Sequence, residues 1–436
     1  MAKGYRAYLP DQDFLLPPSP REWLPEDHLA YFVSDVVDQL DLRAMHAVYG
    51  EEQRGQPPYD PRMMTKLLVY GYCVGVFSAR KMQQRVREDI GFRVLAAGNE
   101  PDFRTISDFR KIHLQTLQGF FEEVLKITLE TGTMKLGRVA LDGTKIKANA
   151  SKHKAMSYER MKQQEKAIRE QVKELLAQAE AIDAAEDASY GKDRRGDELP
   201  EELRRRESRL ERIREAKKAV EQRAREKAEG EAKAGEGAQP KGKDQYNFTD
   251  PDSRIMPSSE GFVQAYNAQV VVEPNFQLIV GQAVTQATND KQQVQPMVEA
   301  TEQQSGQRPE ELLADSGYCS EKNLEHLDAA GELDKPIAAY IATERHKHGQ
   351  EVEACPRGRL PKGANRVERM RRKLKTKAGA AIYATRKTIV EPVFGQIKEA
   401  RGFRRFSLRG FVKVQAEWAL VCLTHNILKL YRLCYQ

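Results

Sequence analysis

Three carboxylates in this chain stand where metal-assisted phosphodiester chemistry would need them. Asp142 ends the apolar run Val139-Ala140-Leu141 and is followed by Gly143. Asp315 ends Leu312-Leu313-Ala314 and is followed by Ser316-Gly317. Glu391 lies in Tyr383-Ala-Thr-Arg386-Lys387-Thr-Ile-Val-Glu391-Pro-Val-Phe-Gly-Gln-Ile-Lys398. That segment is strongly basic: Pro356 to Lys413 holds 18 Lys/Arg against 3 Asp/Glu, or +15, whereas the whole chain carries +7. Carboxylates sharing one cleft repel each other unless a cation neutralises them. Mg²⁺ suits the task because it takes oxygen ligands, keeps waters and binds phosphate oxygens; Mn²⁺ can substitute. Two such ions about 4 Å apart can activate an attacking oxygen and stabilise the leaving one.

Each acid also has a plainer reading. Asp142-Gly143 and Asp315-Ser-Gly317 both read as turns, and Glu391 reads as a surface carboxylate. The interval from Glu391 to Lys398 favours chemistry. Seven residues make close to two turns at about 3.6 residues each, which puts the ammonium on the Glu391 face, where it can hold a phosphate. Pro392 disfavours helix at the residue before it. A helix start or kink is therefore expected at Glu391, with Tyr383 to Lys387 in a separate turn.

The elements that must carry these residues follow from pattern. Residues 1–20 read as an irregular arm, and residues 1–135 as a helical N-terminal domain for DNA binding or assembly. Asp60-Pro61 marks a helix start. Thr105 or Ser107 is expected to cap a later helix. Arg80, Lys81, Arg85, Arg87, Arg93, Arg104 and Arg110 stud this bundle, either as part of a DNA-reading helix pair or as ordinary charged faces. Residues 136–150 and 246–436 form the catalytic core, with a strand ending at Asp142, a hairpin over 261–284, a helix capped by Asn289 or Asp290, and a strand ending at Asp315. Residues 151–245 read as an insertion. Met161, Ile168, Leu175 and Ile182, then Leu203, Leu210, Ile213 and Val220, form a narrow apolar seam. An antiparallel helical hairpin of coiled-coil character fits that seam, with a flexible closing stretch over 230–243. In the last helix Trp418 reads as core and His425 as a satisfied polar residue.

Composition sets limits. At 436 residues the chain can bury a large core. Its five cysteines are scattered and form no CxxC pair, which argues against a disulfide framework or a zinc finger and for a reducing, cytoplasmic setting. No run approaches the ~18 apolar residues of a membrane span. The uneven charge favours a nucleic-acid partner.

With these motifs in place, the chain resembles bacterial insertion-sequence transposases of the DDE class. Tyr383-x2-Arg386-x4-Glu391-x6-Lys398 is similar to the Tyr-Arg-Glu-Lys signature of one large group, although the usual pattern has three residues between Arg and Glu. Either Arg386 or Lys387 then takes the arginine's place. The resemblance implies an α/β fold: a helical N-terminal domain, then an RNase H-like mixed-sheet core interrupted by the hairpin. It implies that Asp142, Asp315 and Glu391 are the catalytic, metal-holding residues. Tyr383, Arg386, Lys387, Lys398, Arg401, Arg404 and Arg405 would contact DNA, the last four gripping backbone phosphates. The partners implied are double-stranded DNA, as terminal inverted repeats and target, and further copies of the chain assembled on it at the nucleoid. A catalytically inactive DNA-binding relative, or an RNase H-like nuclease without strand transfer, would share most of these features.

Overall fold

The computed structural model describes residues 19–49, 57–130, 136–190, 201–230, 239–258, 261–328, 335–344 and 363–435, with residues 355, 358 and 361. Most of the N-terminal arm, the tip of the helical insertion and most of its closing stretch lie outside these.

The N-terminal third is helical: α1 (Leu29–Asp38), α2 (Arg43–Tyr49), α3 (Pro61–Cys73), α4 (Ala79–Glu88), α5 (Ile90–Ala96), α6 (Phe103–Ile112) and α7 (Leu114–Glu130). Asp60 caps α3 as its sequence suggests, accepting from the Arg62 amide at 2.6 Å. Helix α3 is buried around most of its circumference, the mark of a central helix. The cap of α6 is Asp102, not Thr105 or Ser107. Its carboxylate accepts from the amides of Arg104 and Thr105, so both expected caps lie inside the helix.

The sheet is mixed. Its strands are β1 (Arg138–Lys147), β4 (Arg254–Ser258), β5 (Gly261–Val272), β6 (Ile279–Thr285), β7 (Glu311–Ala314) and β8 (Ala338–Ile341), while β2 (Ala155–Ser157) and β3 (Gln245–Asn247) make a separate ribbon. Strand β5 is long enough to pair with β4 over its first half and β6 over its second, and β1 lies along its other edge. Strands β1, β7 and β8 then run parallel. Counting β1, β5, β6, β7 and β8 in chain order, the sheet reads third, second, first, fourth, fifth. This is the RNase H-like arrangement that the resemblance implies.

Helices α8 (Tyr158–Tyr190) and α9 (Glu201–Gly230) interrupt the sheet after β1. They pair through Met161, Ile168, Leu210, Ile213, Ala216 and Val220, a small cluster separate from the main core. Leu175 is only half-buried, and the side chains of Ile182 and Leu203 lie outside the described residues. The ribbon β2–β3 clamps the roots of this pair to the sheet.

Helices α10 (Val294–Ser305), α11 (Glu321–Asp328), α12 (Arg366–Lys375), α13 (Lys377–Gly395) and α14 (Phe411–Tyr435) complete the fold. The expected cap of α10 is also displaced: Gln293 occupies the cap position, and Asp290 is used elsewhere. One apolar cluster runs from α1 through α7, the sheet, α13 and α14. Trp418 is fully buried in it and donates to the Gln269 carbonyl at 3.2 Å. His425 is buried, with Nε2 3.0 Å from the Gln277 carbonyl. Among the described residues, no helix is long and apolar enough to cross a membrane.

Candidate active site

Parallel pairing of β1 with β7 sets the centre of the site. Arg138 is in register with Glu311, and Ala140 with Leu313. Asp142 and Asp315 stand at the same offset beyond those pairs, so the two carboxylates lie side by side. Contrary to expectation, β1 does not end at Asp142 but runs on along β5 to Lys147, whereas β7 stops at Ala314. Each is fixed locally: Asp142 Oδ1 accepts from the Gly143 amide, and Asp315 Oδ1 from the Gly317 amide, both at 2.8 Å. Burial pushes the Asp142 carboxyl up to about 6, with the Asp315 charge adding to the rise and Arg386 opposing it.

A buried polar network lies behind this pair. Gln269, in register with Gly143 across β5, is fully buried. Its amide donates to Asn267 Oδ1 at 3.0 Å and to Asp290 Oδ1 at 2.8 Å, and its carbonyl accepts from the Tyr318 hydroxyl. Asp290 also accepts from Asn267 Nδ2 at 2.6 Å and pairs with Lys145 at 3.5 Å. Tyr318 belongs to the 3₁₀ turn that Asp315 opens. Gln269 thus ties the Asp142 strand, the Asp315 turn and the Asp290 loop into one unit. Gln269, Tyr318 and Lys145 are not among the residues that the sequence singles out, and Asp290 reads there as a helix cap. A glutamine or asparagine within an otherwise apolar strand was the available signal.

Helix α13 closes one side. Contrary to expectation, it is one helix from Lys377 to Gly395 with Pro392 inside it. Proline cannot donate to the carbonyl four residues back; that carbonyl, Thr388, instead accepts from Gln277 Nε2 at 3.1 Å. Tyr383, Arg386 and Glu391 therefore share a helix. Arg386 is buried and bonds Asp142 Oδ2 at 3.0 Å, while its Nε is buried without a partner among the described residues. Tyr383 lies beside that guanidinium, and burial raises its phenol. Glu391 is exposed and makes no hydrogen bond or ion pair among the described residues.

Beyond Glu391 the helix widens into a π turn, Gln396–Ala400. There Lys398 Nζ reaches Thr144 Oγ1, two residues past Asp142, and burial lowers its pKa. Lys387, Arg404 and Arg405 are exposed, Arg404 being paired with Glu399. Arg401 departs from the expected phosphate contact. It is buried beneath α14, donating to Thr424 Oγ1 at 2.8 Å and the Val421 carbonyl at 3.2 Å, and burial pulls it down to about 10. It is a core residue with no access to DNA. Arg110 is likewise buried, donating to the Tyr72 hydroxyl at 2.9 Å.

The structure thus brings together Asp142, Asp315, Arg386, Tyr383 and Lys398, and leaves Glu391 on the outer flank of α13. Among the described residues, no three acidic, histidine or cysteine side chains are grouped closely enough to hold one metal ion. Asp142 and Asp315 nevertheless suit a hard divalent cation. They are oxygen donors side by side on neighbouring strands β1 and β7, and burial penalises the charge of Asp142. Arg386 supplies the positive charge next to Asp142 in this arrangement.

Two protein-family models match the chain. A transposase domain (DUF772) covers residues 18–112, and a transposase DDE domain covers residues 238–427. Asp315, Glu391 and Lys398 fall inside the second match, and Asp142 lies between the two. No curated protein and no solved structure matches the chain.

Proposed function

Because the chain belongs to the insertion-sequence DDE transposases, we propose that it cleaves the ends of its own element and joins the freed 3′-hydroxyl to target DNA. The observation that carries this reading is the placement of Asp142 and Asp315 at equal offsets beyond the paired residues of the neighbouring parallel strands β1 and β7. In the proposal these two carboxylates hold divalent cations, two Mg²⁺ with Mn²⁺ as a substitute, and Glu391 completes the set. Support for Glu391 comes from its neighbours along the chain: Arg386, before it on α13, reaches Asp142, and Lys398, after it in the π turn, reaches Thr144. The cations would polarise the scissile phosphodiester and neutralise the clustered carboxylates.

The chain's own side chains do the rest. Lys398, Lys387, Arg404 and Arg405 bind backbone phosphates of the terminal inverted repeats and the target, contacts that give affinity and salt dependence without sequence choice. Arg386 and Tyr383 line the approach to Asp142, and the guanidinium would be free to bind phosphate where a cation neutralised Asp142 instead. Copies of the chain associate on the DNA so that both ends are processed together.

The test is cleavage and strand transfer with DNA carrying the element's ends. Asp142→Asn, Asp315→Asn and Glu391→Gln should each reduce both steps by at least about 10²-fold while leaving DNA affinity within a few-fold. Full activity in one variant removes that residue from the site. Cleavage without joining identifies a nuclease instead.

A further inference from the structure

The paired helices α8 and α9 balance their charge unevenly. On one face Arg169, Arg214 and Lys217 all converge on Glu165. At the root, where α8 and α9 meet the ribbon β2–β3, the opposite holds. A cavity of about 610 Å³ opens there, with His153, Lys154, Arg160, Arg209 and Arg212 on its walls and Glu215 as its one carboxylate. Lys154, Arg160 and Arg212 are exposed and their side chains make no ion pair or hydrogen bond among the described residues. Arg209 makes one bond, to Gln164 Oε1 at 3.2 Å. Like charges crowded this way repel, and an anion in the groove would relieve them.

The floor is not that of a simple anion site. Tyr246 and Phe248, half-buried and edge-to-face at 5.3 Å, meet Met156 and Ile213 there. Cationic walls over an aromatic and apolar floor match a nucleotide: phosphates take the walls, and an unstacked base lies on the floor. The groove is firmly built. Phe248 donates its amide to the Lys154 carbonyl at 3.1 Å, and Tyr158 to the Asp244 carbonyl at 2.8 Å. It also belongs to the segment that directly follows β1, the strand of Asp142.

We propose that this groove is a single-stranded DNA site, gripping phosphates through Lys154, Arg160 and Arg212 and seating a base against Tyr246 and Phe248. The proposal rests on the reading that the chain acts on DNA. Its test uses the full chain in EDTA, so that no cleavage intrudes. Fluorescence anisotropy would follow a labelled single-stranded oligonucleotide, its abasic counterpart and a blunt duplex across a salt series. Arg160→Ala/Arg212→Ala should weaken single-strand binding roughly 10-fold or more and lower the slope of log K against log salt by about 1.4, at ~0.7 per phosphate contact. The abasic strand should bind the wild-type chain several-fold more weakly. Unchanged affinity and slope in the double variant overturn the proposal, and so does equal binding of the abasic strand or an equal loss for duplex. Both residues are exposed, so an unchanged melting temperature serves as the folding control. A wild-type chain that binds no DNA overturns the transposase reading itself; binding that the double variant retains overturns only the groove.

Discussion

Gly143 has no room for a side chain, because a methyl group placed there would lie 2.2 Å from Gln269 Nε2. Gln269 cannot swing aside freely, since it bonds Asn267, Asp290 and Tyr318 at once. Gly143→Ala should therefore displace the network that aligns Asp142 with Asp315. We expect a stability loss of about 1–3 kcal/mol and a much larger fall in cleavage rate, checked by thermal unfolding beside a single-turnover assay. A second prediction concerns charge. The Asp142 carboxyl is raised from 3.8 to about 6, chiefly by burial. Between those values the folded chain keeps a proton that the unfolded chain has released. Stability in EDTA therefore declines as pH rises from about 4 through about 6. Asp142→Asn removes this dependence. Relative to wild type, the variant should gain roughly 2–3 kcal/mol between pH 4 and pH 7.5, read from paired denaturation curves; a constant difference would contradict the assignment.

At the scale of elements, α13 continues through Pro392 because another segment compensates for the missing amide. Gln277, in the β5–β6 turn, takes up the Thr388 carbonyl and is itself held by Lys429 at 2.8 Å. The helix that carries Arg386 and Glu391 is thus pinned to the sheet at its proline. Gln277→Ala leaves that carbonyl without its protein donor and should cost about 1–2 kcal/mol. Hydrogen exchange should speed up locally over residues 389–395. Uniform exchange across α13 would show that the contact does not hold the helix.

At the scale of the molecule the described residues form two buried clusters with different roles. The main one unites the N-terminal helices, the sheet, α13 and α14. Arg110, Tyr72, Ser407 and Glu417 tie three distant parts of the chain together within it. The other belongs to α8 and α9 with the ribbon at their roots. Since β2 and β3 pair antiparallel at those roots, residues 159–241 can be replaced by a short turn. The shortened chain should keep the melting behaviour of the main core within a few degrees while losing single-strand affinity. Collapse of the whole fold on excision would mean that α8 and α9 are integral to the core.

Much of this was legible locally. An apolar β run followed by aspartate and a nearby glycine marks Asp142 and Asp315 because burial is written into neighbouring residues, although the strand of Asp142 runs on past Gly143 to Lys147. The seam of α8 and α9 is legible for the same reason: helical period decides which face avoids water. What only the tertiary structure decided depends on partners far away in the chain. The β1–β7 register juxtaposes residues 142 and 315, and Gln277 rescues a helix more than a hundred positions on. Arg401, one cation among many in a basic stretch, is core because α14 covers it. Gln269 and Asp290 act in the site because β5 and the loop before α10 meet behind Asp142. Periodicity records how much of each residue is buried, whereas the identity of the group it meets is settled by packing.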